Sequence, residues 1–310
     1  MQKAFLSSCL FFILILMGFL DAQEVSSPKR IKLVILDNSG TLNDCGVYAP
    51  VVSFIQLFEK YGMKISMEEA RIPMGLYKKD HIRAILTMKR VSSLFQDIYH
   101  RAWNEEDVEK MFVDFIPIQL HCLEQYANLI PGVAKTLAFI RENYGVKIGL
   151  TTGFDEEMNE LVLKKAKEQG FVPDAYISSS QVPKGRPYWY MIEENMRQAG
   201  VTDPEEVLKV GDTYGDMQEG KAMRAIKGSA TWTLGLSITG NYVGKLWEEI
   251  IETPGDILQK EQQKAEALLY RAGADYVAPN LHSLPTIIEL INRRLEVGEK
   301  PRPVPLDFLK

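Results

Sequence analysis

Short apolar runs recur along the chain at Ile31–Leu36, Val146–Leu150, Ala175–Ser178, Val207–Val210, Ala230–Leu236 and Asp275–Ala278. The first is interrupted only by Lys32. A short, nearly continuous apolar run is what a strand buried on both faces of a parallel sheet requires. Between these runs and after the last, apolar residues return at helical spacing over Val133–Arg141, Glu156–Gln169, Tyr188–Gln198 and Leu284–Leu295. Strands alternating with helices predict an α/β fold with a doubly wound parallel sheet. Ligands in such sheets sit beyond the carboxyl ends of the strands, which is where Asp37, Thr151 and Asp212 fall.

The alternation fails between Gly46 and Tyr126. Helical patterns there follow one another without a strand: Val51–Tyr61, Met67–Ala70, Leu76–Met88, Ser92–His100, and a long one after Asn104, an N-cap with Asp107 at the third helical position. The stretch is too long for a loop and predicts a separate α-helical cap inserted after the first strand. The expected organisation is an α/β core over 31–45 and 127–298, a cap over 46–126, a polar linker over 23–30 and a proline-rich tail over 299–310.

The N-terminus has its own pattern. Lys3 precedes an almost wholly apolar stretch, Ala4–Leu20, followed by Asp21-Ala22-Gln23. This reads as a secretory signal peptide cleaved after Ala22, placing the chain in the secretory pathway. The alternatives are an uncleaved membrane anchor, which needs about 20 apolar residues, or a misplaced start codon and a cytoplasmic protein.

Composition changes the picture little: 46% hydrophobic and 25% charged residues suit a globular chain with a sizeable core. A net charge of −5 with no long basic run excludes a nucleic-acid binder. Of the three cysteines, Cys9 leaves with the signal, and Cys45 and Cys122 are too few for a disulfide framework.

The candidate chemistry lies at the strand ends. Asp37-Asn38-Ser39-Gly40-Thr41 follows the first strand, where a carboxylate can bind a cation or attack an electrophile; alone, the same residues read equally well as a turn. Thr151 and Thr152 end a second strand with hydroxyls suited to phosphate oxygens. Lys184 and Arg186 place two cations just before a helix, and Asp212 and Asp216 end a third strand with carboxylates fit for a hard divalent ion such as magnesium.

These four motifs, in this order, resemble the haloacid dehalogenase superfamily. The resemblance implies that Asp37 is a nucleophile, that Thr151 and Arg186 hold a phosphoryl group, and that Mg2+ is bound by Asp37, the Ser39 backbone carbonyl and Asp212 with support from Asp216. Lys184 is the alternative cation, but Arg186-Pro187 fits the family's cation-proline pattern better. The cap segment Arg71-Ile72-Pro73-Met74-Gly75-Leu76-Tyr77-Lys78-Lys79-Asp80-His81 is similar to that of the phosphonatases within this superfamily. The likeness, running from about Ile31 to Ile288, implies hydrolysis of phosphonoacetaldehyde. In it Lys78 forms a Schiff base, Met74 packs beside it and His81 shuttles protons, and a homodimer through the cap is expected.

The lysine's role also follows from chemistry. A carbon–phosphorus bond breaks heterolytically only if the carbon's electrons have somewhere to go, and an iminium is a far better sink than an aldehyde. The lysine must then be partly neutral, so burial is expected to depress its pKa. His81, three residues on, shares its helical face. Lys79 and Asp80 read as a solvated surface. The chain departs from the family pattern with Asn38 and Ser39 in place of tryptophan and alanine, Val47 in place of cysteine and Phe154 in place of tyrosine. Two rival readings remain: a phosphatase of small phosphate esters, and a secreted binding protein on the same scaffold.

Overall fold

The computed structural model describes residues 28–306 and Phe308. The expected signal segment over 1–22 lies outside the described residues, and no helix among the described residues is long and apolar enough to cross a membrane.

Strand β1 (Leu33–Leu36) is followed by five helices and no strand: α1 (Tyr48–Lys60), α2 (Met67–Arg71), α3 (Lys78–Thr87), α4 (Lys89–Tyr99) and α5 (Glu105–Tyr126). The alternation then resumes with α6 (Val133–Tyr144), β2 (Lys147–Thr152), α7 (Glu156–Glu168), β3 (Ala175–Ser178), α8 (Tyr190–Ala199) and β4 (Val207–Gly211). After it come α9 (Tyr214–Ala222), α10 (Arg224–Lys227), β5 (Trp232–Leu236), α11 (Trp247–Glu252), α12 (Gly255–Ala272), β6 (Tyr276–Ala278) and α13 (Leu284–Glu296).

The six strands among the described residues form one sheet in the order β3-β2-β1-β4-β5-β6, every neighbouring pair parallel. The order reverses at β1, whose residues pair with β2 on one side and β4 on the other, as in Val34 with Ile148 and Leu208. That reversal opens the crevice in which a doubly wound sheet binds its ligands, and Asp37 stands directly above it. Every residue of β1, β4 and β5 is buried, as the continuous apolar runs require.

The cap has its own core. Phe54, Leu57 and Phe58 of α1 pack with Ile82 and Ile85 of α3 and with Met111, Phe115 and Leu123 of α5, all without solvent exposure. Each such side chain contributes about 1.5–3 kcal/mol by leaving water. The Asn104 side chain accepts from Asp107 N–H at 3.1 Å and Asp107 Oδ2 accepts from Asn104 N–H at 2.9 Å, the capping box expected at the start of α5. The same cluster includes Phe154 and, from α7, Met158 and Val162, so the cap is seated on the core beside the end of β2.

The chain crosses between core and cap twice, and the crossings lie side by side. Asn43 bridges Leu129 in antiparallel sense, Asp44 N–H donates to Asn128 O at 3.1 Å, and Ile130 N–H donates to Leu42 O at 3.1 Å. The buried Asp44 carboxylate accepts from the N–H groups of Tyr48 and Ala49, capping α1 from outside its first turn.

Candidate active site

Asp37 takes its place because β1 ends there: Asp37 N–H still donates to Val210 O at 3.0 Å, and the side chain then stands above the sheet, 7% exposed. Arg186, 4% exposed, reaches it from the loop before α8. Its Nη2 donates to Asp37 Oδ1 at 2.8 Å and to the Thr151 carbonyl and hydroxyl at 2.8 and 2.9 Å, while Nε donates to Glu219 Oε2 at 3.0 Å. Burial works against the Arg186 charge, but Asp216, Asp37 and Glu219 outweigh it and hold the pKa well above the usual arginine value.

Beneath Arg186 lies a second buried cation, Lys209 of β4. Its Nζ is 2.9 Å from Asp216 Oδ1, 3.5 Å from Glu219 Oε2, and donates to the Thr151 hydroxyl at 2.8 Å. Neither Lys209 nor Glu219 was indicated by the sequence pattern. Thr151, expected to bind phosphate, has its hydroxyl engaged by Arg186, Lys209 and Glu219. Its neighbour Thr152 lines the cavity instead, since adjacent strand residues face opposite sides.

Asp37, Asp212 and Asp216 are all buried and offer carboxylate oxygens within 4.8 Å of one another. Asp212 is held by Asn241 N–H at 2.7 Å and by the Thr41 hydroxyl at 3.4 Å. Burial and mutual repulsion push the Asp212 carboxyl well above the usual range; burial also raises Asp37. Asp216 is the exception: against burial, Arg186 and Lys209 bring it down to about 2. Four buried carboxylates, counting Glu219, thus face the two buried cations Arg186 and Lys209. An all-oxygen donor set with surplus negative charge fits a hard divalent cation. Asp216 is the least free member, because Oδ2 accepts from Thr213 N–H and hydroxyl and Oδ1 faces Lys209; it stands behind Asp37 and Asp212.

The cap supplies the opposite wall. Lys78, the first residue of α3, is 3% exposed and lines the same cavity as Asp37, Ser39, Val47, Pro50, Met74, Thr152, Phe154 and Arg186. Its Nζ lies 4.9 Å from the Phe154 ring centre and 5.6 Å from that of Phe54. No carboxylate forms an ion pair with it among the described residues. Burial brings its pKa down to about 8, the direction the sequence required. The free space between these walls is about 20 Å3, the scale of a single water.

His81 shares the face of Lys78 but is placed behind the cavity wall. Its Nε2 is 2.9 Å from Ala70 O, its ring stacks on Phe54 at 3.8 Å, and burial drives its pKa well below the ordinary value. Lys184 is also outside, its Nζ 4.6 Å from the Tyr188 ring centre, which leaves Arg186 as the cation of the site. Lys79 and Asp80 pair with Glu109 and Arg83 on the surface, as expected of a solvated face.

Arg71, from the segment that carries the likeness, ties cap to core. Its Nη1 donates to Gly46 O at 2.7 Å and to Asn241 Oδ1 at 3.2 Å, and Nη2 donates to Gly244 O at 3.2 Å. Asn241 also holds Asp212 through its backbone N–H, so one loop contacts both the cap and the carboxylate cluster.

A family model for haloacid dehalogenase-like hydrolases matches residues 31–224. The chain is 37% identical over 271 residues to a phosphonoacetaldehyde hydrolase of Syntrophobacter fumaroxidans, covering 87% of this chain and 95% of the relative. It is 39% identical over 267 residues to one of Bacteroides fragilis, covering 86% and 99%. Among solved structures, a phosphonoacetaldehyde hydrolase-like protein from Oleispira antarctica superposes with a TM-score of 0.84 at 36% identity, covering 89% of this chain and 97% of that one.

Proposed function

This chain belongs to the phosphonoacetaldehyde hydrolases, within the haloacid dehalogenase-like hydrolases, and from that premise we propose that it cleaves phosphonoacetaldehyde to acetaldehyde and phosphate in a magnesium-dependent reaction. The observation that carries this reading is Lys78: an amine buried without an acidic partner among the described residues, brought down to about 8, in one cavity with Asp37 and Arg186.

The neutral Lys78 amine adds to the aldehyde carbon, and with uptake of one proton from solvent water leaves, giving an iminium next to the carbon that bears phosphorus. An Asp37 carboxylate oxygen then attacks phosphorus. The carbon–phosphorus bond breaks and its electron pair moves into the iminium, leaving an enamine on Lys78 and a phosphoryl group on Asp37. Protonation of the enamine at carbon and hydrolysis release acetaldehyde and restore the amine. Water cleaves the aspartyl phosphate and restores the carboxylate. Arg186 and the Thr152 hydroxyl bind the phosphoryl oxygens, and the Phe54 and Phe154 rings hold the amine and exclude water from it. Asp37 and Asp212, with Asp216 behind and the Ser39 carbonyl beside them, would hold magnesium, which when bound would supply charge that lowers the repulsion between carboxylate and phosphonate.

Ester hydrolysis needs a group that protonates a departing alkoxide. At the position two residues after the nucleophile stands Ser39, whose hydroxyl is a poor acid; carbon leaving as an enamine needs no acid at that step. The test is release of acetaldehyde and phosphate from phosphonoacetaldehyde with and without magnesium, against a panel of phosphate esters. Borohydride added with substrate is expected to inactivate the protein and label Lys78. Full magnesium-dependent turnover by Lys78→Arg would overturn the Schiff-base step. A homodimer through the cap and export with cleavage after Ala22 belong to the same reading; light scattering and the mass of the mature N-terminus test them.

A further inference from the structure

The Schiff-base reading constrains the substrate's shape. The carbonyl carbon must neighbour the carbon bonded to phosphorus, so the compounds able to react are 2-oxoalkylphosphonates, and the variation nearest to Lys78 is in the second substituent on the carbonyl. In an aldehyde that substituent is hydrogen; in a ketone it is carbon. Whether a ketone is admitted depends on the wall facing Lys78, made by Val47, Pro50, Met74 and Phe154.

These four are not equally yielding. Met74 is unbranched and adapts to what it meets, and the Phe154 ring is set against the Lys78 ammonium. Val47 is different. It is 1% exposed and held at φ 59°, ψ 45°, in the left-handed region, where a β-branched residue is a genuine outlier. It is fixed there from both sides. Val47 N–H donates to Asp44 O at 2.9 Å, and the side chain lies so close to the nucleophile loop that a Cβ at Gly40 would come within 2.8 Å of Val47 Cγ2. Strain of this kind persists only where the surroundings over-determine it, and it concentrates where a site must hold a group in place.

We propose that Val47 is a specificity-determining residue: its branched side chain, locked at the crossing from core to cap and pressed against the nucleophile loop, excludes ketones and restricts the site to the aldehyde. The inference rests on the Schiff-base reading of Lys78, and the two fail in different experiments.

The test compares kcat/KM for phosphonoacetaldehyde with that for its methyl-ketone analogue, 2-oxopropylphosphonate, in the wild-type protein and in Val47→Gly and Val47→Ala. Glycine suits the left-handed backbone and alanine keeps a Cβ, so the pair separates hinge relaxation from wall removal. The intrinsic sluggishness of ketones towards amines cancels, because the quantity read is the change in the ketone-to-aldehyde ratio. Removing two side-chain carbons in the alanine variant or three in the glycine variant is expected to raise that ratio about tenfold or more, and borohydride should trap the ketone on Lys78 in the variants but not in the wild type. A ratio within twofold of wild type in both variants, or wild-type turnover of the ketone comparable to the aldehyde, overturns the proposal. Absence of phosphate release from phosphonoacetaldehyde by the wild type would instead overturn the reading beneath it.

Discussion

Replacing Lys78 with methionine should make the protein more stable while abolishing its activity. The Lys78 amine is 3% exposed and is moved from the ordinary lysine value of 10.5 down to about 8. At 1.36 kcal/mol per pH unit, this displacement corresponds to about 3 kcal/mol of cost for holding the charged form in the folded state at neutral pH. The faces of Phe54 and Phe154 return about 0.5–2 kcal/mol through cation–π attraction. The net expectation is a gain of about 1–3 kcal/mol for Lys78→Met at pH 7, since methionine fills a similar volume without a charge to bury. The sign with pH is fixed. Between about 8 and 10.5 the unfolded chain holds a proton that the folded one has released, so wild-type stability rises with pH across that window and the advantage of the variant disappears. Urea unfolding of both proteins at pH 7, 9 and 10.5, read as the difference between them, measures this directly. A variant less stable than wild type at pH 7, or a difference constant across the three pH values, would refute the idea that the lowered pKa of the Lys78 amine is held at the expense of stability.

Lys209→Met should cost about 3–5 kcal/mol, visible as a lower urea midpoint, because Asp216 and Glu219 would lose one of the two cations they share and keep only Arg186 against four buried carboxylates. Added magnesium should raise the melting temperature of the wild-type protein and chelator should reverse the rise, whereas Asp212→Asn should show a much smaller shift. The kcat/KM for phosphonoacetaldehyde should increase with pH as Lys78 loses its proton and level off above about 8, with a Phe154→Leu variant displacing that midpoint. Asn241→Ala should loosen the loop that touches Arg71 and Asp212, raising both KM and the magnesium concentration needed for half-maximal rate.

The six strands and the five cap helices were legible because burial in a parallel sheet and in a helical bundle writes two different periods into the chain. Of the candidate site, Asp37 and Asp212 were legible because they stand at strand ends, Arg186 because it precedes a proline in a short loop before a helix, and Lys78 because its cap segment is recognisable. Helix α12 was not: only Ala265, Leu269 and Ala272 of its residues are buried, so its apolar stripe is confined to the last turns of a long helix. Helix α9 failed for the opposite reason, since all but its first residue are buried, including Asp216, Glu219 and Lys221. Lys209 sits inside an apolar strand and reads as a stray surface residue until Asp216 and Glu219 arrive from α9 to pair with it. The resemblance pointed to Thr151 for phosphate, and only the faces of the sheet show that Thr152 is the one lining the cavity. Charged residues that neutralise one another across the core leave no local signal, because the partner lies far away along the chain.

The paired crossings between core and cap have a mechanical meaning. A domain hung on one strand swivels about every bond of its tether, and the position of any group it carries is smeared over a sphere. Here the outgoing segment at Asn43 and Asp44 is laced to the returning one at Asn128 and Leu129. Two tethers fastened together behave as a door hinge with a single axis. Lys78, carried by the cap, is thereby kept in one cavity with Asp37. The meeting of amine and carboxylate is repeatable because the connections allow so few other paths.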